Sequence, residues 1–261
     1  MNAADLIGPQ SGPYFAGALF AGMLLLLEMG RRIGRKHRER DPEGLSTGAI
    51  DGAVFALLGL LVAFTFSGAT SRFDGRRQLV TEEANAIGTA YLRIDLLPES
   101  AQPPLRDLFR RYLDSRLETY RKLPDVQAAM KEWETSVELQ RHVWANAVTA
   151  CRESGSSQAT MLLIPALNAM IDISTTRLMS TRVHPPSIVY IMLGAVSFLA
   201  ALLAGYGMAF SRRRSWFHLV AFAAVIAATV FVILDLEYPR LGLVRVDAAD
   251  QVLSDLRRSM D

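Results

Sequence analysis

The fold of this chain is limited above all by one long segment without proline. It runs from Ala49 to Leu97, is apolar on every side in its first part, and keeps helical apolar spacing while it becomes charged in its second part. Built as one helix at about 1.5 Å rise per residue, it would be ~70 Å long, more than twice the ~30 Å hydrocarbon core of a bilayer. We therefore expect a helix that crosses the membrane and continues into water.

Apolar residues, which make up 51% of the 261 residues, are concentrated in four blocks, two near each end of the chain. Each block is about long enough to span a bilayer and carries no charge in its middle. No alternating strand pattern accompanies them. The sequence therefore predicts an all-α integral membrane protein with four transmembrane helices in two pairs. These helices are expected at about residues 14–29, 50–68, 187–210 and 216–236.

The region between the two pairs has the turn signals of a helical bundle. Pro103 and Pro104 favour a helix start, Asp125 follows a proline and fits an N-cap, and the serine-rich segment 154–157 predicts a loop. The tail contains Pro239 and Gly242, which could turn it back to dock on the bundle. We predict four parts: a first transmembrane pair (1–69), an extramembrane helical bundle (70–183), a second transmembrane pair (184–236) and a C-terminal tail (237–261).

Basic residues indicate how the chain is oriented in the membrane. They cluster in loops 31–50 and 211–215, and six Arg or Lys residues lie between Arg31 and Arg40 alone. The positive-inside rule places both loops in the cytoplasm. The leader before the first block contains Asp5 and no Lys or Arg, which favours a retained helix over a signal peptide. We therefore expect a multi-pass protein of the bacterial inner membrane with a periplasmic central bundle.

The sequence contains none of the common catalytic motifs. It has no Walker loop, GxSxG elbow, HExxH or CxxC motif, and its four histidines lack metal-ligand spacing. The nearly balanced charge of the central region is typical of a solvated surface rather than a nucleic-acid footprint. We expect no enzymatic activity, no cofactor and no bound metal. The expected partners are membrane lipids and small inorganic ions, with no nucleic acid.

One face of the second membrane helix has the pattern of a pore wall. If several copies surround an axis, its apolar residues would form a hydrophobic constriction and its charges a vestibule, where Arg favours anions and Glu favours cations. Alternatively, the phenylalanines face lipid and the charges pair locally. The pore-lining candidates are Phe55, Leu58, Val62 and Phe66, and the vestibule charge candidates are Arg72, Arg76, Glu82 and Glu83.

Two functions are consistent with these patterns. The first is an oligomeric membrane ion channel whose pore is lined by the second transmembrane helix, with a hydrophobic neck. The alternative is a non-conducting membrane scaffold or ligand-sensing protein that acts through its extramembrane bundle. Phenylalanines that point toward an axial pathway would favour the channel, whereas lipid-facing phenylalanines would favour the scaffold.

Three segments resemble the bacterial bestrophin-like domain family. They are ALLGLLVAFTFSGATSRFDGRRQLVTEEANAIGTAYLR in the long helix, HPP before the third membrane helix, and DLEYPRLGLVRV after the fourth. Because bestrophins are pentameric anion channels with a phenylalanine-lined neck, the resemblance implies a homo-oligomer, a pentamer by analogy, that favours anions. By position, the neck would correspond to Phe55, Val62 and Phe66. Bestrophins keep their termini and central helices in the cytoplasm, opposite to the orientation that the basic loops predict here.

Overall fold

The chain folds into α-helices joined by short connections. The computed structural model describes residues 12–40, 48–209, 216–238, 240, 242–244 and 246–261, and within those ranges it contains no strand. The all-α class predicted from the sequence is therefore confirmed. The helices are α1 (Gly12–Arg40), α2 (Gly48–Leu92), α3 (Gln102–Arg121), α4 (Val126–Ser154), α5 (Ser157–Ser180), α6 (Ser187–Met208), α7 (Trp216–Glu237) and α8 (Asp247–Arg258), with 3₁₀ turns at Arg93–Leu96 and Glu99–Ala101.

The four predicted membrane blocks lie in α1, α2, α6 and α7. Among the described residues, α5 is also long and apolar enough to cross a membrane by length and composition, which makes five such helices. The number of spans therefore stays a prediction. The long predicted helix is continuous from Gly48 to Leu92 and tightens into the first 3₁₀ turn before Pro98.

The first basic segment is helical where the sequence predicted a loop. Helix α1 continues through residues 31–40, and Glu28 pairs with Arg31 and Arg32 one turn further along, at 2.8 and 3.0 Å. Pairs at this spacing support a helix, and the next proline comes only at position 42. Residues 41–47 and the second basic loop, 211–215, lie outside the described residues, so the predicted cytoplasmic position of both loops stays a prediction.

The chain divides into two compact units. Unit 1 contains the described residues of Met1–Arg72 and His184–Leu243, and unit 2 contains those of Phe73–Val183 and Val244–Asp261. Helix α2 contributes its apolar half to unit 1 and its charged half to unit 2.

In unit 1, helix α1 packs against α6 and α7. The contact with α6 is close enough to require glycine. A Cβ atom built on Gly30 would lie 2.0 Å from the carbonyl oxygen of Leu202, and one built on Gly205 would lie 2.0 Å from that of Leu27. Close backbone approach at small residues is the usual way in which helices associate in lipid. These two glycines therefore set the distance between α1 and α6.

The helices of unit 2 begin and end near the turn signals of the sequence. Proline occupies the first turn of α3, and Asp125 caps α4 by accepting a hydrogen bond from the backbone N–H of Ala128 at 3.0 Å. Gly155 ends α4 in the left-handed conformation, at φ 63°, and Ser156 caps α5 by accepting from the N–H of Ala159 at 3.1 Å. The core is apolar and includes Ile87, Phe109, Leu113, Leu163, Leu167 and Met170.

The C-terminal helix α8 docks on the bundle of unit 2. Its Leu253 is fully buried, and the backbone carbonyl of Met260 accepts hydrogen bonds from Tyr91 at 3.2 Å and Arg110 at 3.3 Å. Arg257 pairs with Asp114 of α3 at 2.8 Å. The end of the chain is therefore part of the folded bundle.

Candidate functional site: the second membrane helix

Among the described residues, α2 is the candidate membrane helix that other parts of the chain cover least. Only 6% of the residues in its most apolar stretch are buried, compared with 39% in α6 and 44% in α7. The few buried positions share one face, with Leu58 at 3% exposure and Ala69 at 0%. The opposite side is open and carries Leu60 and Phe64, which are 52% and 68% exposed. Apolar residues that the described part of the chain leaves uncovered are suited to contact with lipid or a second protein surface.

The predicted pore-lining residues do not share one environment. Leu58 is buried, Val62 is half-buried, and the half-buried Phe55 packs edge-on against Phe222 of α7, with ring centroids 6.1 Å apart. Phe66 is 42% exposed. The structure thus places Phe55 and Leu58 toward the packed side of α2 and leaves Phe66 accessible from outside the subunit.

The first vestibule candidate, Arg72, pairs with an acid at the end of the fourth membrane block. Its Nε donates to Glu237 at 2.9 Å, and the Glu237 side chain is only 1% exposed. His184 Nδ1 lies 3.5 Å from the same carboxylate, and the His184 ring stacks on Tyr238 at 4.8 Å. Glu237 therefore balances the Arg72 charge inside unit 1.

Arg76 is buried in unit 2, where it binds backbone carbonyls. Its guanidinium donates to the carbonyl of Ser180 at 3.2 Å and to that of Val183 at 3.0 Å, just beyond the end of α5. Carbonyls at a helix C-terminus lack intrahelical partners and carry partial negative charge, so a cation there is stabilising. Arg76 thus fixes the end of α5.

Glu83 lies at the centre of a buried ionic cluster. Arg116 of α3 donates from its Nε to Glu83 at 2.6 Å, and Arg177 of α5 donates to the other carboxylate oxygen. Glu83 lies beyond the part of α2 that is predicted to span the membrane. Burial opposes ionisation of its carboxyl, but the charges of Arg116 and Arg177 outweigh that effect and lower the pKa of Glu83 below its ordinary 4.5. Its neighbour Glu82 is exposed and accepts a hydrogen bond from Gln78 at 2.8 Å.

The cluster extends from Glu83 to the C-terminal helix. Arg177 also donates to Asp250 of α8 at 2.8 Å and lies over the ring of Tyr120 at 3.8 Å. Arg116 donates to the Tyr120 hydroxyl at 2.8 Å and lies 4.8 Å from the centre of the Trp133 ring. Four helices, α2, α3, α5 and α8, are therefore joined by one set of ion pairs, in which Glu83, Arg116 and Arg177 are buried and Asp250 is half-buried.

Arg116 and Arg177 were not among the residues predicted from the sequence. The available signal was that Arg116 lies on the apolar stripe of α3, one turn from Tyr112 and one turn from Tyr120. A charged residue on a buried stripe requires a charged or polar partner inside the protein. Which residue is the partner of Arg116 depends on which helices pack together. Helical spacing along one segment does not show this.

A surface cavity of about 300 Å³ lies between α3 and α4 in unit 2. Its polar side chains include Asn146, whose amide donates to the carbonyl of His142 on its own helix at 2.8 Å. A ligand-sensing role of the bundle would use a cavity of this kind. Its lining residues are Ala101, Pro104, Leu105, Ala145, Asn146, Thr149, Ala150 and Glu153. Among the described residues, no group of three or more His, Cys, Asp or Glu side chains is placed to hold a metal ion.

Comparison with known proteins identifies the family. The sequence model of the bestrophin-like domain matches residues 17–250. The chain belongs to the bestrophin-like domain family. The resemblance of the long helix, the HPP segment and the tail to this family is thereby confirmed.

Solved bestrophin homologues share the fold. A point variant of a bacterial bestrophin homologue from Klebsiella pneumoniae superimposes with a TM-score of 0.63 at 16% identity, covering 91% of this chain and 97% of that one. A second variant of the Klebsiella pneumoniae homologue gives a TM-score of 0.65 at 16% identity, covering 92% and 97%. No curated protein matched the sequence. The bestrophin-like protein is thus a membrane protein of all-helical bestrophin fold.

Proposed function

We propose that this bestrophin-like protein is an oligomeric channel for small inorganic ions and that helix α2 lines its pore. The main support for the proposal is that the described part of the chain buries very little of the apolar half of α2. Only 6% of the residues in its most apolar stretch are buried, although the helix is 45 residues long. If α2 only packed within a monomer, one of its sides would be buried, as in α6 and α7.

Other copies of the chain are the natural cover for α2. Most oligomers of identical chains have closed symmetry, so that each copy presents the same surface around one axis. If α2 faces that axis, its open side borders the ion path, and its packed side, with Leu58 and Ala69, holds it to its own subunit. By analogy with bestrophins the ring is a pentamer. Light scattering of the purified protein in detergent, corrected for bound detergent, gives the copy number directly.

The apolar side chains on the open side of α2 form the neck in this proposal. They are Leu60 and Phe64, with Ser67 on the same face of the helix. The predicted pore residue Phe66 is exposed but lies about 160° from Phe64 around the helix. A narrow apolar passage gates by dewetting, so its width and polarity control conduction. The sequence also predicts pore-lining roles for Phe55, Leu58 and Val62, and these stay predictions. The exposures of Leu58 and Leu60 distinguish the two faces.

Currents across planar bilayers test the proposal. Purified oligomer should conduct, and Phe64→Ala should raise the unitary conductance because it widens the passage. Leu199→Ala is the matched control: Leu199 is an exposed apolar residue on α6, 45% exposed, and its truncation should leave the conductance unchanged. A well-folded oligomer that carries no current in any monovalent salt would overturn the channel and favour the scaffold.

A further inference from the structure

Beyond its apolar block, α1 carries a row of basic residues along one exposed face. Arg32, Lys36 and Arg40 are spaced four residues apart, so that at about 100° per residue they fall on the same side of the helix. All three are exposed, and the side chain of Arg32 is 77% exposed. Together these three residues are termed the basic row.

The packing of α1 against α6 sets the direction of the basic row. Gly34 lies so close to α6 that a Cβ atom built on it would be 2.7 Å from the carbonyl oxygen of Tyr206. Arg38 donates to the carbonyl of Ala209, just beyond the end of α6, at 3.3 Å. Lys36 lies about 160° from Gly34 around the helix. The basic row is therefore held on the side of α1 that faces away from α6.

The same face of α1 is apolar where the helix is a candidate membrane span. Leu25 and Met29 lie within about 20° of Lys36 around the helix, and they are 73% and 45% exposed. An apolar face that the described part of the chain leaves uncovered is suited to contact with lipid tails. The basic row thus continues a lipid-compatible face beyond its apolar end.

The dimensions of a bilayer bring the basic row to the level of the headgroups. Each headgroup layer is about 5–8 Å thick. If the hydrocarbon core ends at Met29, as the sequence predicts, Arg32 lies ~5 Å and Lys36 ~10 Å beyond it, at about 1.5 Å rise per residue. Side chains on a helix lean toward its N-terminus, which here is the membrane side, and long Lys and Arg side chains extend back to the interface. Their charged groups therefore reach the lipid phosphates.

The acidic residues nearby do not balance the charge of the basic row. Residues 31–40 contain six Arg or Lys residues and one acidic residue. Glu28 pairs with Arg32 at 3.0 Å, but within the described part of the chain Lys36 and Arg40 form no ion pair. Like charges four residues apart on a helix repel each other. An anion from outside the protein would therefore stabilise the row.

We propose that the basic row binds the phosphate headgroups of anionic phospholipids, whose acyl chains pack on Leu25 and Met29. Arg and Lys bind phosphate oxygens through charge-assisted hydrogen bonds, and basic clusters beside a membrane helix attract anionic lipids. Free phosphate shares the headgroup chemistry but has no tail to contact the apolar part of this face. The lipid is therefore the occupant. The inference is independent of ion conduction, because it rests on α1 and its packing alone.

Native mass spectrometry of the full-length protein in detergent tests the proposal. With equal amounts of phosphatidylglycerol and phosphatidylcholine added, the wild type should retain severalfold more phosphatidylglycerol, because only that lipid has a net negative charge. The triple variant Arg32→Gln, Lys36→Gln and Arg40→Gln should retain phosphatidylglycerol only at the level of phosphatidylcholine. The single variant Lys36→Gln should lower the retention by a smaller factor. Inorganic phosphate at millimolar concentration should not displace the bound lipid.

A second triple variant on the bundle is the matched control. Arg121→Gln, Lys131→Gln and Arg141→Gln make the same change of charge at exposed positions of α3 and α4. This variant should retain as much phosphatidylglycerol as the wild type. Because all the replaced side chains are exposed, both triple variants should elute and melt as the wild type does.

Three results would overturn the lipid site. The first is equal retention of the two lipids by the wild type, and the second is unchanged retention of phosphatidylglycerol when the basic row is replaced. The third is an equal loss in the control, which would show that total charge and not the basic row attracts the lipid. Displacement by inorganic phosphate would show a site for phosphate ions that needs no lipid tail, and it would overturn the assignment to phospholipid.

Discussion

At the scale of single residues, adjacent acids on α2 occupy opposite environments. Glu83 is fully buried between two arginines, and Glu82 is exposed on the open side. Neighbouring helix positions point about 100° apart, so a one-residue step changes the surroundings completely. The two carboxylates therefore differ in burial and partners although they are adjacent in the sequence.

Replacing Glu83 should destabilise the protein strongly. Glu83→Gln leaves Arg116 and Arg177 buried without their shared anion, and removal of one partner of a buried ion pair costs about 3–5 kcal/mol. Glu82→Gln, at an exposed position, should change the free energy of unfolding by no more than about 0.5 kcal/mol. Thermal unfolding of the two variants in the same detergent measures the difference. Equal stabilities would show that Glu83 does not hold the bundle together.

The lowered pKa of Glu83 predicts acid sensitivity. In the unfolded chain the carboxyl titrates near its ordinary 4.5, and in the folded protein its pKa is lower. The stabilisation from its ionised form is therefore complete above pH 4.5 and is lost as the pH falls from 4.5 through the lowered value. The stability difference between wild type and Glu83→Gln should stay constant above that pH and shrink below it. A difference that persists unchanged into strong acid contradicts the assignment.

At the scale of elements, the sequence predicted helix ends better than helix faces. Pro103, Asp125 and Gly155 act through local backbone chemistry, and the helices begin and end beside them. The faces of α2 were harder to predict because Leu58 and Leu60 are chemically identical, yet one is buried and the other open. The continuation of α1 through residues 31–40 was missed because a run of basic residues suits both an exposed helix and a loop.

The contact between α1 and α6 should not tolerate a methyl group at Gly205. Gly205→Ala places a Cβ about 2.0 Å from the Leu27 carbonyl oxygen, so the helices must separate. Overpacking of this kind costs about 1–3 kcal/mol. Gly194→Ala is the control on the same helix, because a Cβ there meets no atom within 4 Å. The melting temperature should fall for Gly205→Ala and not for Gly194→Ala. A similar fall in both variants would show that the loss comes from replacing a helix glycine and not from the contact with α1.

Docking of α8 should depend on its buried leucine. Leu253→Ala removes a fully buried side chain and should cost about 2–5 kcal/mol, whereas Val252→Ala, at a position 40% exposed, should cost much less. Limited proteolysis measures how firmly α8 is docked, because a C-terminal helix released from the bundle is cleaved first. Equal cleavage of both variants would contradict the buried contact.

At the scale of the whole molecule, the sequence predicted the family and the all-helical membrane fold, but not the ionic cluster that joins α2, α3, α5 and α8. Partners such as Glu83 and Arg177 are 94 residues apart along the chain, and local spacing does not indicate such a pairing. The same limit applies to the proposed pore. Which side of α2 is left open by its own chain is a property of the folded subunit, and local spacing does not indicate it.

In the proposed channel, the open side of α2 lines the ion path. Leu60 and Leu58 offer a matched pair for testing this, because they are the same residue type at nearly the same depth but are 52% and 3% exposed. In a Cys151→Ala background, which removes the single cysteine, Leu60→Cys and Leu58→Cys are each reconstituted and treated with a charged thiol reagent while current is recorded. We predict rapid loss of current in Leu60→Cys and none in Leu58→Cys. Block of Leu58→Cys alone, or currents that the reagent leaves unchanged in Leu60→Cys, would contradict the claim.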